Sequence, residues 1–305
     1  MTVQTTMPRR ASRLFPLLLL LGGGVLLGLS VNLAKLAGHV GLTPLAFLAW
    51  SITGAALILL LMAVLRGNPP PIDRRCLRYY AISAVVSVAG PNLVFFSAIP
   101  HVGASFVALI ITLPPLLTYI GALAFGMERF QAIRALGVAA ALAGAGVLGA
   151  SQLAAPDADV FWILLVFAGP ILLAVGNLYR SLGWPEGVSS DALAPGMLLG
   201  AAAMLLLAGL LPGHSLAIPL DSSSALLVIA AQTIVFAGQF LVLFLLQKTG
   251  GPVLLSLLGS VGAVVGVPVA IFLQNEAAPQ GLLPGAGLIA LGVVLVARGQ
   301  ARQRP

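Results

Sequence analysis

Apolar stretches of roughly 20 residues, the length that crosses a bilayer as an α-helix, recur along the whole of this 305-residue chain. Ten such spans fit, at about 14–37, 43–66, 78–99, 103–125, 133–151, 160–180, 193–212, 223–247, 251–274 and 280–298. In hydrocarbon every backbone N–H and C=O must be paired inside the protein, which leaves helices and closed barrels as the spanning structures. The runs are continuous rather than alternating, so a barrel is excluded. The predicted fold class is an all-α polytopic membrane protein. Charged residues make up 8% of the chain, against about 25% in a soluble domain. With so few charges, the net +7 reports which loops face the cytoplasm, and nucleic acid is not an expected partner. The lone Cys76 excludes a disulfide framework and a cysteine-rich metal site.

The basic residues give an orientation. With the N-terminus inside, all of the fifteen Lys and Arg residues except Lys35 fall on the cytoplasmic side. That set includes Arg9, Arg10, Arg13, Arg66, Arg129, Arg134, Arg180, Lys248, Arg298, Arg302 and Arg304. Both termini are then cytoplasmic, in a plasma membrane of the bacterial inner-membrane kind. His39, His101, His214 and Asp157 fall outside. Arg9-Arg10 and Arg13 before Phe15-Pro-Leu could imitate a secretory signal, but no small-residue cleavage site closes the run. The reading is an uncleaved first helix.

A second feature divides the chain. Glu128, Gly137 and Gly144 fall on Glu276, Gly285 and Gly292 at a constant offset. The same register carries Gly90 onto Gly238, Phe96 onto Phe244 and Gly103 onto Gly251. The expected domains are a five-helix repeat at 14–151 and another at 160–298. Five spans is an odd number, so the halves enter the membrane in opposite senses as two inverted repeats. Secondary transporters built this way bind substrate near the midplane at the repeat interface. Asn32-Leu-Ala-Lys35 and Asn177-Leu-Tyr-Arg180 end the first and sixth spans as a further echo.

Gly126-Met-Glu128-Arg129 followed by Gly137 and Gly144, with Glu276, Gly285 and Gly292 as a looser second copy, resembles the EamA-domain transporters of the drug/metabolite transporter superfamily. Gln274 and Ala277 stand where the first copy has Gly126 and Arg129. The resemblance implies a carrier of small metabolites or drug-like solutes, many relatives being exporters.

Helices broken at membrane depth expose backbone polar groups, tolerated only beside protein or a water-filled cavity. The expected breaks are Gly90-Pro91, Pro114-Pro115, Gly169-Pro170, Gly238-Gln239, and Gly259-Ser260 with Pro268. They place a central cavity around spans three, four, eight and nine. Asn92, Gln239, Asn32, Gln232, Thr112 and Ser260 are the candidate substrate-binding side chains, with Trp50, Phe96 and Tyr119 as walls. Asn92 and Gln239 lead because they sit beside breaks; interhelical hydrogen bonding is the competing role for amides in membranes. Thr112 and Ser260 are expected to bond back to their own helices. Glu128 and Glu276 read as hydrated turn carboxylates capping the following helix. The small-residue stripes Gly137-x3-Ala141 and Ala286-x3-Ala290 read as close helix packing, within the chain or between two copies of it.

Asp and Glu, eight in all, fall at helix ends or in loops, and Lys35 and Arg180 sit at span ends where long stems can snorkel. The cavity is therefore expected to be largely uncharged. Export would then be facilitated, or coupled through rim groups such as His101. No cofactor and no metal cluster is expected, and Gly22-Gly-Gly24 lies inside an apolar span rather than in a phosphate loop. The expected partners are a small-molecule solute and the bilayer. Two other classes remain: a structural or sensory membrane protein, and a membrane-embedded lipid-modifying enzyme. The second requires acidic or metal-binding residues at the cavity.

Overall fold

The computed structural model describes residues 11–154, 159–249 and 258–301. Among these residues the chain is helical and without strands. The helices are α1 (Ala11–His39), α2 (Pro44–Leu65), α3 (Arg74–Ser83), α4 (Gly90–Val102), α5 (Ala104–Ile110), α6 (Pro114–Ala124), α7 (Ala132–Leu153), α8 (Val160–Leu165), α9 (Ala168–Leu182), α10 (Ser190–Ala208), α11 (Ser223–Thr249), α12 (Leu258–Pro268) and α13 (Leu282–Ala301). Two π-helical segments, Ala84–Ala89 and Val269–Leu273, join α3 to α4 and extend α12. Nine helical spans among the described residues are long and apolar enough to cross a membrane, and a shorter apolar one covers Leu258–Leu273. The protein is a multi-pass membrane protein. Gly251, Asp157, Arg9, Arg10, Arg302 and Arg304 lie outside the described residues, as does the side chain of Lys248.

Local chemistry sets the ends. Thr43 accepts a hydrogen bond from the Ala46 amide (3.1 Å) ahead of Pro44, which opens α2 where its missing N–H costs nothing. Asp73 accepts from the amides of Arg75 (2.9 Å) and Cys76 (3.1 Å) to start α3. The thiol and amide of Cys76, with the Arg75 amide, hold the Asp73 carboxyl below its ordinary range.

Prolines sit at the interruptions of spans three, four and six, whereas Pro195 lies inside unbroken α10. Pro lacks the N–H and its ring crowds the carbonyl four residues earlier. Span three widens into the Ala84–Ala89 π-segment before Gly90-Pro91. Span four breaks at 111–113, before Pro114-Pro115, and span six breaks between α8 and α9, before Gly169-Pro170. Span eight is a correction. The expected break at Gly238 is absent, and α11 runs unbroken through it. Glycine keeps its N–H and costs a helix only about 1 kcal/mol, so nothing forces a rupture there. Gly238 instead makes room for Leu26 of α1, which would sit 3.2 Å from an added Cβ.

Helix neighbours follow from small residues and aromatics. α7 and α13 lie against each other along their length. A Cβ on Gly137 would come within 2.7 Å of the Gly292 carbonyl, and one on Gly144 within 2.6 Å of the Gly285 carbonyl. Backbone therefore meets backbone, and the Gly137–Ala141–Gly144 stripe is covered inside the chain. α1 packs on α11 and α12, α2 on α10 and α11, α9 on α4 and α6, and α5 on α12. At the centre, Phe96 of α4 lies 5.7 Å from Phe47 of α2 and 6.2 Å from Phe236 of α11, ring centre to ring centre. Leu18, Leu61, Phe161, Leu227 and Phe272 point outward, as helices solvated by lipid require.

Candidate functional site

A cavity opens where the interrupted helices meet α1, α9 and α11. Its volume is about 110 Å³, below the roughly 300–1,000 Å³ of drug-sized ligand sites. Pro91, Asn92, Phe95 and Phe96 of α4 form one wall, with Ser87 of the π-segment beside them. Ile111, Pro114 and Pro115 come from the break between α5 and α6, and Ser30 with its neighbours comes from α1. Gln239, Phe240 and Leu243 line it from α11, Gly259 from α12, and Asn177 with Arg180 from α9.

The amides predicted from sequence divide into two groups. Asn92 and Gln239 both line the cavity. The Asn92 amide donates to the Val88 carbonyl (2.8 Å), a group in the widened π-turn. Buried Gln239 Oε1 has no hydrogen-bond partner. Asn32, by contrast, ties α1 to α12: its Nδ2 donates to the carbonyls of Gly28 (2.8 Å) and Gly266 (3.0 Å). Gln232 is fully enclosed one layer behind the cavity and donates to the hydroxyl of Ser30 (2.6 Å), which does line it. Thr112 bonds back to the Leu109 carbonyl (2.7 Å), as expected of a hydroxyl at a helix end. Ser260 is next to lining residue Gly259 but does not line the cavity, and its buried Oγ has no partner.

Of the walls, only Phe96 stands at the cavity. Trp50 lies at the bundle surface and donates to the Leu216 carbonyl (2.9 Å). Tyr119 accepts from the Gln131 amide (3.0 Å), and the Arg134 guanidinium sits 3.8 Å from its ring centre. Among the predicted breaks, Pro91 and Pro114 line the cavity, whereas Gly90 and Gly238 do not.

The expected uncharged lining is corrected by Arg180. Its side chain is 5% exposed and reaches the cavity instead of snorkelling out of the bundle. One terminal nitrogen donates to Asn177 Oδ1 (2.6 Å), whose own amide donates to Thr118 (3.2 Å). This is the inward-facing side of α9, and the helix rotation that puts Asn177 there carries Arg180 with it. The doubled Asn-x2-basic pattern was the available signal.

The two turn carboxylates also depart from a simple cap. Glu276 reaches across to α5, not to the helix that follows it. It accepts from the amides of Ala104 (3.0 Å) and Ser105 (2.9 Å) and from the Ser105 hydroxyl, and it pairs with Lys35 of α1 at 2.7 Å. The turn between α4 and α5 permits this because Gly103 has φ +85°, and a Cβ there would lie 2.5 Å from Glu276 Oε1. Burial pushes the Glu276 carboxyl upward, but Lys35, the Ser105 hydroxyl and the two amides outweigh it and hold the group below its ordinary range. The cluster fastens α1, α5 and the turn after α12 at one end of the bundle. Glu128 pairs with Arg134, which is 1% exposed and stacked on Tyr119. His101 stacks on Trp162 and stands 3.2 Å from Asp159 at the bundle rim. No three His, Cys, Asp or Glu side chains come together to hold a metal ion among the described residues.

The described residues define a multi-pass helical membrane protein with a cavity at its interrupted helices. Residues 14–150 match the EamA-like transporter family, and the chain carries a domain of that family, part of the drug/metabolite transporter superfamily. The family is one of membrane transporters of the drug/metabolite type. A protein of known crystal structure shares the fold with a TM-score of 0.63 at 20% sequence identity, over 94% of this chain and 99% of the other. No curated protein matches the sequence.

Proposed function

We propose that the chain is an alternating-access exporter of small metabolites or drug-like solutes, built as two inverted five-helix repeats over 14–151 and 160–298, and that it is not an enzyme. The observation that carries this reading is the cavity at the interrupted helices, in a bundle fastened at one end by the Glu276–Lys35–α5 cluster. A site walled by interrupted helices, in a bundle whose ends are fastened by separate contacts, suits alternating access.

The exchange of neighbours between halves supports the repeat. α1 touches α11 and α12, and its counterpart α9 touches α4 and α6. α2 touches α11, and its counterpart α10 touches α3 and the π-segment at Ala84–Ala89. α7 with α13, α2 with α10, and α5 with α12 are pairs that map onto themselves. The distribution of basic residues supports cytoplasmic termini in a plasma membrane of the bacterial inner-membrane kind, with the Lys35–Glu276 end outward.

Single cysteines at Asn92 and Gln239 in a Cys76→Ser background test this reading in sealed vesicles. Alternating access makes each label with a membrane-impermeant maleimide from both sides. Labelling from one side only, in the parent and in a Glu276→Gln variant alike, refutes it.

A further inference from the structure

Arg180 has an unmatched charge. Of the basic side chains drawn into the bundle among the described residues, Lys35 meets Glu276 and Arg134 meets Glu128. Arg180 is as enclosed as these, yet no carboxylate of the described residues is paired with it. Its Nε has no hydrogen-bond partner, and its one side-chain partner is the neutral amide of Asn177. The ionisable group near it, Tyr79, is a phenol and neutral at physiological pH. Arginine cannot shed its proton to escape the penalty. An enclosed cation without a counter-ion is costly, because burial removes hydration and nothing replaces it. What adjoins this cation on its open side is the cavity.

We propose that Arg180 is an anion site inside the cavity, and that the solute it takes is a monocarboxylate with an apolar body the size of an aromatic ring. This deepens the transporter reading and rests on the same cavity. The guanidinium fork matches a planar carboxylate through two parallel N–H donors. One unmatched positive charge balances one negative charge, which favours a carboxylate over a dianionic phosphate. Asn177 is bonded to Arg180, and the lining also includes Ser87, whose buried hydroxyl has no partner. The same lining holds Phe95, Phe96 and Phe240, and Gln239, whose Oε1 is unpartnered. The lining thus offers one cation, three aromatic rings and one unpartnered amide oxygen.

The test uses the purified full-length protein and thermal unfolding, with 3-phenylpropionate as probe, 3-phenylpropanamide as its neutral isostere and phenyl phosphate as a dianion of like size. Saturable stabilisation by 3-phenylpropionate is expected, exceeding that by phenyl phosphate and absent with the amide. Arg180→Gln is expected to lose this response while unfolding, unliganded, at or above the parent temperature, since an unmatched buried charge has gone. Arg180→Lys keeps the charge without the fork and should respond more weakly. Equal stabilisation by the amide, no response of the parent to the carboxylate, or a stronger response to phenyl phosphate would each overturn the assignment. So would an Arg180→Gln protein that fails to fold, or is destabilised and still responds, because the arginine would then be structural. If the carboxylate binds through Arg180 but Asn92 and Gln239 cysteines label from one side only, the anion site stands and the transporter reading falls. The reverse pattern removes the site and leaves transport intact.

Discussion

Replacing Glu276 by Gln removes one charge from a site where three partners converge. The carboxylate accepts two amides and a hydroxyl of α5 and pairs with Lys35, with side-chain exposures of 11% for Glu276 and 16% for Lys35. Breaking a fully buried ion pair from one side costs about 3–5 kcal/mol. A hydrogen bond to a charged group contributes about 1.5–3 kcal/mol. Gln retains one acceptor oxygen for the α5 amides, and the residual exposure of Lys35 lets water soften its isolation. The net loss should be about 2–3 kcal/mol, local to this end of the bundle. At about 1.4 kcal/mol per decade, the opening equilibrium that exposes the Ala104 and Ser105 amides rises about 30- to 150-fold. Hydrogen exchange followed by mass spectrometry reads this directly: peptides covering 101–110 should exchange faster by that factor, while those covering 168–182 should not change. The pH dependence has a definite sign. The folded carboxyl is held below its ordinary range, so its contribution is complete above about pH 4.3 and is lost as pH falls further toward the depressed folded value. Parent and variant should therefore converge in strong acid. Exchange at 101–110 unchanged within threefold at pH 7, or a difference that grows on acidification, would refute the reasoning.

Arg134→Met should lower the unfolding temperature sharply, losing about 3–4 kcal/mol as the Glu128 pair and the Tyr119 stack go together; thermal unfolding in detergent measures it. Gly144→Ala should cost about 1–3 kcal/mol, because its Cβ would meet the Gly285 carbonyl at 2.6 Å. Gly146→Ala, where the Cβ meets nothing within 4 Å, should be neutral or slightly stabilising by the same assay. Asn32→Leu should reduce folded yield by freeing the Gly266 carbonyl, whereas Asn92→Leu and Gln239→Leu should fold and lose transport in proteoliposome counterflow once a transported solute is in hand.

The membrane class was legible because a run of about 20 apolar residues has few other uses. Interruptions at Pro91, Pro114 and Pro170 were legible for an equally local reason, the missing N–H. Gly238 misled because a glycine can break a helix or merely thin it, and the choice depends on Leu26 across the interface. Asn32 and Asn92 look alike in sequence, each an amide in mid-helix. Helix rotation about the bundle axis, set by long-range packing, sends one to the Gly266 carbonyl and the other to the cavity. Arg180 was assigned to the rim on the strength of its long stem, and the same rotation problem applies to it. Glu276 was expected to act on its own neighbours in sequence. Its true partners, Lys35 and the α5 amides, are distant along the chain and nothing local points to them.

The π-segment at Ala84–Ala89 holds one more residue in its turn than an α-helix would. An α-helix advances about 100° per residue, so a helix that carries such an extra residue is a screw with a spare notch. If the wide turn travels along span three past Asn92, every side chain it passes swings about 100° around the axis while the ends stay in place. Asn92 and Phe96 would leave the cavity wall and other faces of α4 would take their positions. In that register the cavity wall would be exchanged by moving one hydrogen-bond defect, with no helix unfolded and no end unfastened.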